Sequence, residues 1–271
     1  MKYHGGKTRL GKRLATQILN FVDFYYSQRF YNQKIISGYW DPTVGGTIGV
    51  TKHLVTPLKE RFSSDFSFFA SDISIPLIHF WIAIQKGFDP PPKLSFKQYT
   101  YLKDTKEIQD PLHVFVQHAS SFGGFPYNQG ISFDLINRQL NSAHNTIERM
   151  RPILKSFRIF SQDIFDPKLK PKNLLIYIDP PYYSSRETKT LHKTLLSFDH
   201  KRFWEVVTEW SKDNLVFVSE TSTLKPKEWM SIYSVEFKNR FGKNEYSRVE
   251  KLFVHRNNIP PRELNSFSSL K

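Results

Sequence analysis

Residues 174–183 place an apolar run, Leu174-Leu175-Ile176-Tyr177-Ile178, directly before Asp179-Pro180-Pro181-Tyr182-Tyr183. The run has strand length, and the prolines end it, because proline fixes φ and donates no backbone hydrogen bond. Such a turn lies at the C-terminal end of its strand, where open α/β sheets bind ligands. Asp179 offers a carboxylate acceptor, Pro180 a carbonyl that no helix or ladder need occupy, and Tyr182 a flat ring. Together they suit a planar group bearing an NH2. The plainer reading is a strand followed by a rigid turn, with Tyr182 packing.

Further residues stand where a strand gives way to a helix. Asp41-Pro42-Thr43-Val44-Gly45-Gly46-Thr47 is one such switch, and its glycines allow close backbone approach to a ligand. It lacks the G-x-G-x-x-G spacing of a dinucleotide loop. Asp72 ends a second strand, where a carboxylate can accept from ribose hydroxyls or cap the helix that follows at Ile75. Asp163-Ile164 ends a third, either as a ligand contact or as a surface turn. The N-terminal Lys2-Tyr3-His4-Gly5-Gly6-Lys7 reads by itself as a basic leader. The nine histidines show no metal-ligand spacing, and there is no cysteine, which excludes disulfides and thiolate metal sites.

The Asp179–Tyr182 run resembles the Asp-Pro-Pro-Tyr motif of S-adenosylmethionine-dependent amino-methyltransferases. The leader, the glycine loop, an insertion and this motif follow in the order of the Dam-type (alpha-group) adenine-N6 DNA methyltransferases. The resemblance implies catalytic roles for Asp179, Pro180 and Tyr182. The aspartate and the proline carbonyl accept from the exocyclic amine, and the tyrosine stacks on a base flipped out of a DNA duplex. It implies S-adenosylmethionine contacts for Tyr3, Lys7, Asp41, Pro42, Gly45, Gly46, Asp72, Asp163 and Ile164. Two departures stand in the glycine loop: Thr43 where the family usually has phenylalanine, and Thr47 where it has a third glycine. Asp163-Ile164 replaces Asp-Phe. The implied alternatives are the same chemistry on RNA, or a catalytically silent DNA-binding relative. Whether a restriction endonuclease accompanies the chain is not written in these residues.

The elements that must hold these residues can be read from periodicity. Leu10, Leu14, Ile18 and Val22 fall four apart and predict an amphipathic helix. Strands are expected at 35–41, 66–70, 158–161, 174–179 and 215–218. Helices are expected from near Thr47 to before Phe62, at 75–86, at 136–154 and near 200–212. Segments 232–239 and 246–255 read as an antiparallel hairpin. Strand–helix alternation implies a parallel sheet with right-handed crossovers. The resemblance specifies that α/β fold as the Rossmann-like class I methyltransferase sheet with an inserted target-recognition module. The periodicity breaks at Asp89-Pro90-Pro91-Pro92, and residues 89–135 show little period. The expected organisation is therefore a catalytic domain at 1–87 and 156–255, a recognition insertion at 88–155, and a loose tail at 256–271. Within the insertion, Lys97, Tyr99, Tyr101, Lys103, Tyr127 and Arg138 are candidate phosphate or base contacts, beside the glycine-rich Ser120–Asn128 segment.

At 271 residues the chain is long enough for one large domain with an insertion. Its formal net charge of +14 suits a polyanion, because neutralised phosphates release counterions. A basic face also serves membrane surfaces or solubility. No run reaches membrane-spanning length and the first residues lack a signal-peptide core, so a cytoplasmic protein with no membrane partner is expected.

Overall fold

The computed structural model describes residues 7, 10–27, 34–46, 48–105, 109–120, 132–182, 198–221, 225–241 and 244–260, the side chains of 238–246 excepted. The chain forms two compact units. One comprises Met1–Lys12, Thr43–Pro57 and Ser67–Asp163; the other comprises Arg13–Pro42, Leu58–Phe66 and Ile164–Lys271.

Seven strands are described: β1 (Gly38–Asp41), β2 (Ser67–Asp72), β3 (Phe157–Ser161), β4 (Leu174–Ile178), β5 (Leu215–Glu220), β6 (Trp229–Phe241) and β7 (Asn244–His255). Their order is β3-β2-β1-β4-β5-β7-β6. The pairs β2/β3, β1/β4 and β4/β5 run parallel. β7 runs antiparallel to both β5 and β6. This is the expected α/β sheet, a parallel Rossmann-like core with an antiparallel hairpin at one edge.

In the second unit the interior strands are near-continuous apolar runs, because both faces are covered. Every residue of β1 and β5 is buried. Helix α1 (Gly11–Ser27) presents Leu14, Ile18, Phe21, Val22 and Tyr25, all buried, and Phe21 meets Phe217 of β5 edge-on at 5.6 Å. Helix α7 (His200–Trp210) is capped by Asp199, which accepts from Arg202 N, and buries Phe203, Trp204, Val207 and Trp210. Trp204 packs on Trp229 and Phe253 of the hairpin. The segment read as a loose tail begins with an ordered turn. Asn258 is fully buried and donates to the Asn214 carbonyl, and its side-chain oxygen accepts from Lys34 Nζ. Residues 261–271 lie outside the described residues.

The first unit carries β2, β3 and most of the helices: α3 (Ile75–Gln85), α4 (Phe96–Asp104), α5 (Pro111–Ala119) and α6 (Phe133–Leu154). The stretch read as lacking period therefore contains two nine-residue helices and the start of a third. Local chemistry rather than period defines them. Ser95 and Gln98 form a reciprocal capping box for α4, and Asp110 caps α5 just before Pro111. α6 buries Ile136, Leu140, Ala143, Ile147, Met150 and Leu154 in one stripe. Arg151 ties it to α3 by donating to the Ile84 and Phe88 carbonyls. Tyr99 is buried against Phe133, so it serves this helical core rather than an exposed base contact.

The helix expected from near Thr47 is a second departure. A single 3-10 turn at Thr51–His53 precedes α2 (Val55–Arg61). Ile48 sits at φ 46°, a left-handed conformation that a helix cannot contain and that costs a β-branched residue dearly. Among the described residues no helix is long and apolar enough to cross a membrane.

Candidate active site

Each unit gathers a group of the candidate residues. In the second unit they collect at the C-terminal ends of the parallel strands. β4 ends at Ile178, and Asp179 follows half-buried, then Pro180 buried. The Tyr182 hydroxyl donates to Glu250 Oε1 at 2.8 Å, and Ser219 Oγ donates to the same oxygen. Ser219 and Glu250 are both completely buried. The register explains their meeting: Ser219 of β5 faces Leu252 of β7, so Glu250 is its diagonal neighbour on the same face.

Tyr177 completes this cluster. Its hydroxyl is wholly buried and makes no hydrogen bond of good geometry, although Ser219 lies beside it. Burial holds its ionisation well above the usual phenol range, reinforced by the negative charges of Asp179, Glu250 and Asp41. Asp41, at the end of β1, is itself buried. Glu220 closes β5, buried, and accepts from the Thr221 amide at 2.7 Å. The second unit thus brings Asp41, Asp179 and Tyr182 into one neighbourhood with Tyr177, Ser219 and Glu250. Glu250 had one readable signal. It shares strand parity with buried Leu252 and Val254, so it is a charged residue in an inward position.

In the first unit the glycine loop is held open by hydrogen bonds. Gly45 adopts φ 58° and donates its amide to Asp72 Oδ2 at 3.1 Å. Asp72 Oδ1 accepts from the Ser74 amide at 2.9 Å. The Trp81 indole N–H donates to the Gly45 carbonyl at 2.9 Å, and the Val44 amide donates to the Ser71 carbonyl at 3.0 Å. Asp72 therefore clamps the loop to the start of α3. Its carboxyl ionises above the ordinary range, because burial outweighs the amide bonds from Ser74, Gly45 and Ile73. A carboxylate has about four acceptor sites, so these amides leave it capacity for one further donor.

Lys7 is buried in the same unit, against Gly49. Its carbonyl accepts from Leu10 N at 3.1 Å and Gly11 N at 2.6 Å. Gly49 packs so closely that an added Cβ would lie 3.1 Å from the Lys7 Cβ. The leader residue thus packs on the segment just after the glycine loop. Gly46 is buried in this unit, as is Pro42 in the other. Asp163 is exposed and Ile164 buried. Tyr3, Thr47, Tyr127 and residues 121–131 lie outside the described residues.

The first unit also concentrates positive charge. Lys52 loses basicity through burial and through Arg149 nearby. The neutral form of His53 is favoured by burial and by Lys52 and Lys12. Arg149 and Arg138 stand on one face of α6, lining a shallow concavity with Asn141, Ser142, Asn145 and Glu148.

Among solved structures, the chain is similar to the DszA carbon methyltransferase at 7% identity, covering 92% of this chain and 54% of that one, with a TM-score of 0.39. It is similar to an S-adenosylmethionine-dependent methyltransferase from Clostridium acetobutylicum at 12% identity, covering 94% and 78%, with a TM-score of 0.32. A Listeria monocytogenes protein assigned to the class I S-adenosylmethionine-dependent methyltransferases gives 10% identity, 95% and 67% coverage, and a TM-score of 0.38. The chain thus spans about half the length of the first. No family model and no curated protein matches it. Scores this low decide nothing about the site, whose weight rests on strand order and side-chain geometry.

Proposed function

We propose that this protein transfers a methyl group from S-adenosylmethionine to the N6 amine of adenine in DNA. The observation that carries the reading is the turn after β4. Asp179 and Pro180 stand at the C-terminal edge of the sheet, beside a Tyr182 ring whose hydroxyl is fixed by buried Glu250. An aromatic amine attacks poorly, because its lone pair is delocalised into the ring. The Asp179 carboxylate and the Pro180 carbonyl accept its N–H bonds, favour a pyramidal nitrogen and stabilise the positive charge that develops on it. Tyr182 offers a face to a base that has left the helical stack, which offsets part of the unstacking cost.

The residues present suit the cofactor. Gly45 in a left-handed conformation opens the loop that would receive the methionine portion, and Asp72 retains acceptor capacity for ribose hydroxyls. When bound, S-adenosylmethionine supplies an electrophilic methyl group. The helices α4–α6 serve as the target-recognition module, with Lys52, Arg149 and Arg138 contacting phosphates.

Incubating the purified protein with methyl-labelled cofactor and separate DNA and RNA pools, then digesting to nucleosides, tests the reading. Label in N6-methyldeoxyadenosine is expected. Label confined to RNA moves the substrate to the alternative class, label in cytosine refutes the amine assignment, and no label with bound DNA marks a silent relative.

A further inference from the structure

We infer that Glu250 is a positioning residue, whose buried carboxylate anchors the hydroxyl end of the Tyr182 ring and so fixes where the ring axis points. This rests on the reading of Asp179–Tyr182 as the site that grips a planar amine. Tyr182 follows two prolines, and their rings restrict the backbone on which it stands. Much of the freedom that remains lies in the side-chain torsions. A hydrogen bond at the far end of the ring, 2.8 Å from hydroxyl to carboxylate, stops the ring from swinging away. Prolines at one end and glutamate at the other thus hold the long axis of a ring that is itself only half-buried.

The carboxylate is well placed for this and poorly placed for stability. A fully buried charge is costly, and an apolar residue of similar volume often stabilises a fold more. Glu250 is nonetheless kept at the centre of a polar group, accepting from Ser219 as well as Tyr182. The polar groups near it come from several elements: Ser219 from β5, Tyr177 from β4, Tyr182 from the turn, and Arg248 from its own strand, while β6 sets Val235 opposite it. Ser219 anchors the glutamate, and the glutamate anchors the tyrosine. A stacking ring held this way loses little entropy when a base arrives, which is the advantage of preorganisation.

The test is a double-mutant cycle on the full chain with Tyr182→Phe and Glu250→Ala, read in two ways. Denaturation midpoints measure whether the side chains are coupled, whatever the protein's activity. Initial rates against duplex concentration measure whether the coupling serves the reaction. Coupled midpoints are expected, together with about a tenfold fall in kcat for each single variant and no further fall for the double. Cofactor affinity should not move. Glu250→Gln, which keeps an acceptor oxygen, is expected to recover most of the rate, and it serves if the alanine variant fails to fold. Additive midpoints, wild-type kcat in Glu250→Ala, or a glutamine variant as slow as alanine would each overturn the proposal. Coupled midpoints in a wild-type protein that transfers no methyl group would instead overturn the function reading and leave the pair standing.

Discussion

Asp179 and Asp72 are both aspartates at strand ends, yet their surroundings assign them different work. Asp179→Ala is expected to slow single-turnover transfer by about two to three orders of magnitude while cofactor affinity stays within several-fold, because it removes a preorganised acceptor from the target amine. A near wild-type rate in a folded variant would remove Asp179 from the chemistry. Asp72 holds Gly45 and Ser74 by their amides, so its loss touches the fold as well as the ligand. Asp72→Asn keeps an acceptor for only one of these amides, so its denaturation midpoint is read beside its affinity. It should remain folded and bind cofactor about one to two decades more weakly by calorimetry, the worth of a charge-assisted bond. Unchanged affinity would leave Asp72 as a clamp alone. The acceptors and the ring were legible in the sequence because two prolines between a carboxylate and an aromatic make a rare string. Glu250 carried only its inward strand parity, because its partner Tyr182 is 68 residues away and their meeting depends on how β7 pairs with β5.

Among the elements, the junction of α1 with Gly49 leaves no room for a side chain. A Cβ on Gly11 would lie 2.1 Å from the Gly49 carbonyl oxygen. Backbone cannot yield as a flexible side chain can, so Gly11→Ala must displace the start of α1 or the loop. A loss of about 1–3 kcal/mol in denaturant unfolding is expected, accompanied by weaker cofactor binding. Stability equal to wild type would show that the two segments can part without harm. The long elements were readable because burial imposes a period: four-residue spacing in α1, and unbroken apolar runs in β4 and β5. The short ones were not. In α4 and α5 nine residues give too few turns for a period to emerge, and only their caps, Ser95 with Gln98 and Asp110 with Pro111, betray them. The helix expected near Thr47 failed for a conformational reason, the left-handed Ile48.

For the molecule as a whole, charge and protonation govern behaviour in solution. With a formal net charge of +14, duplex binding should weaken steeply with salt. Lys52→Ala and Arg149→Ala are each expected to weaken binding alike across DNA sequences, and to reduce the slope of log affinity against log salt by about 1. An unchanged slope would place the phosphates elsewhere. Stability should also fall in mild acid. Burial pushes the His118 pKa down to about 4 from an ordinary 6.5, and burial likewise lowers those of His53, His200 and His255. The unfolded chain therefore binds more protons in that interval. The stability these histidines contribute is fully present above pH 6.5 and is lost as pH falls toward 4. Melting temperatures between pH 8 and 5 should trace the decline, and His118→Gln should flatten it; an identical decline in that variant would exonerate His118. The order of the strands also sets a timetable for synthesis. β6 is made before β7 but reaches the sheet only through it. Tyr182 emerges from the ribosome 68 residues ahead of Glu250, a wait of about 3–14 s at ordinary translation rates. Until the hairpin turns back, the nascent chain carries the tyrosine without its acceptor, and the last described strand to be made is the one that completes the site.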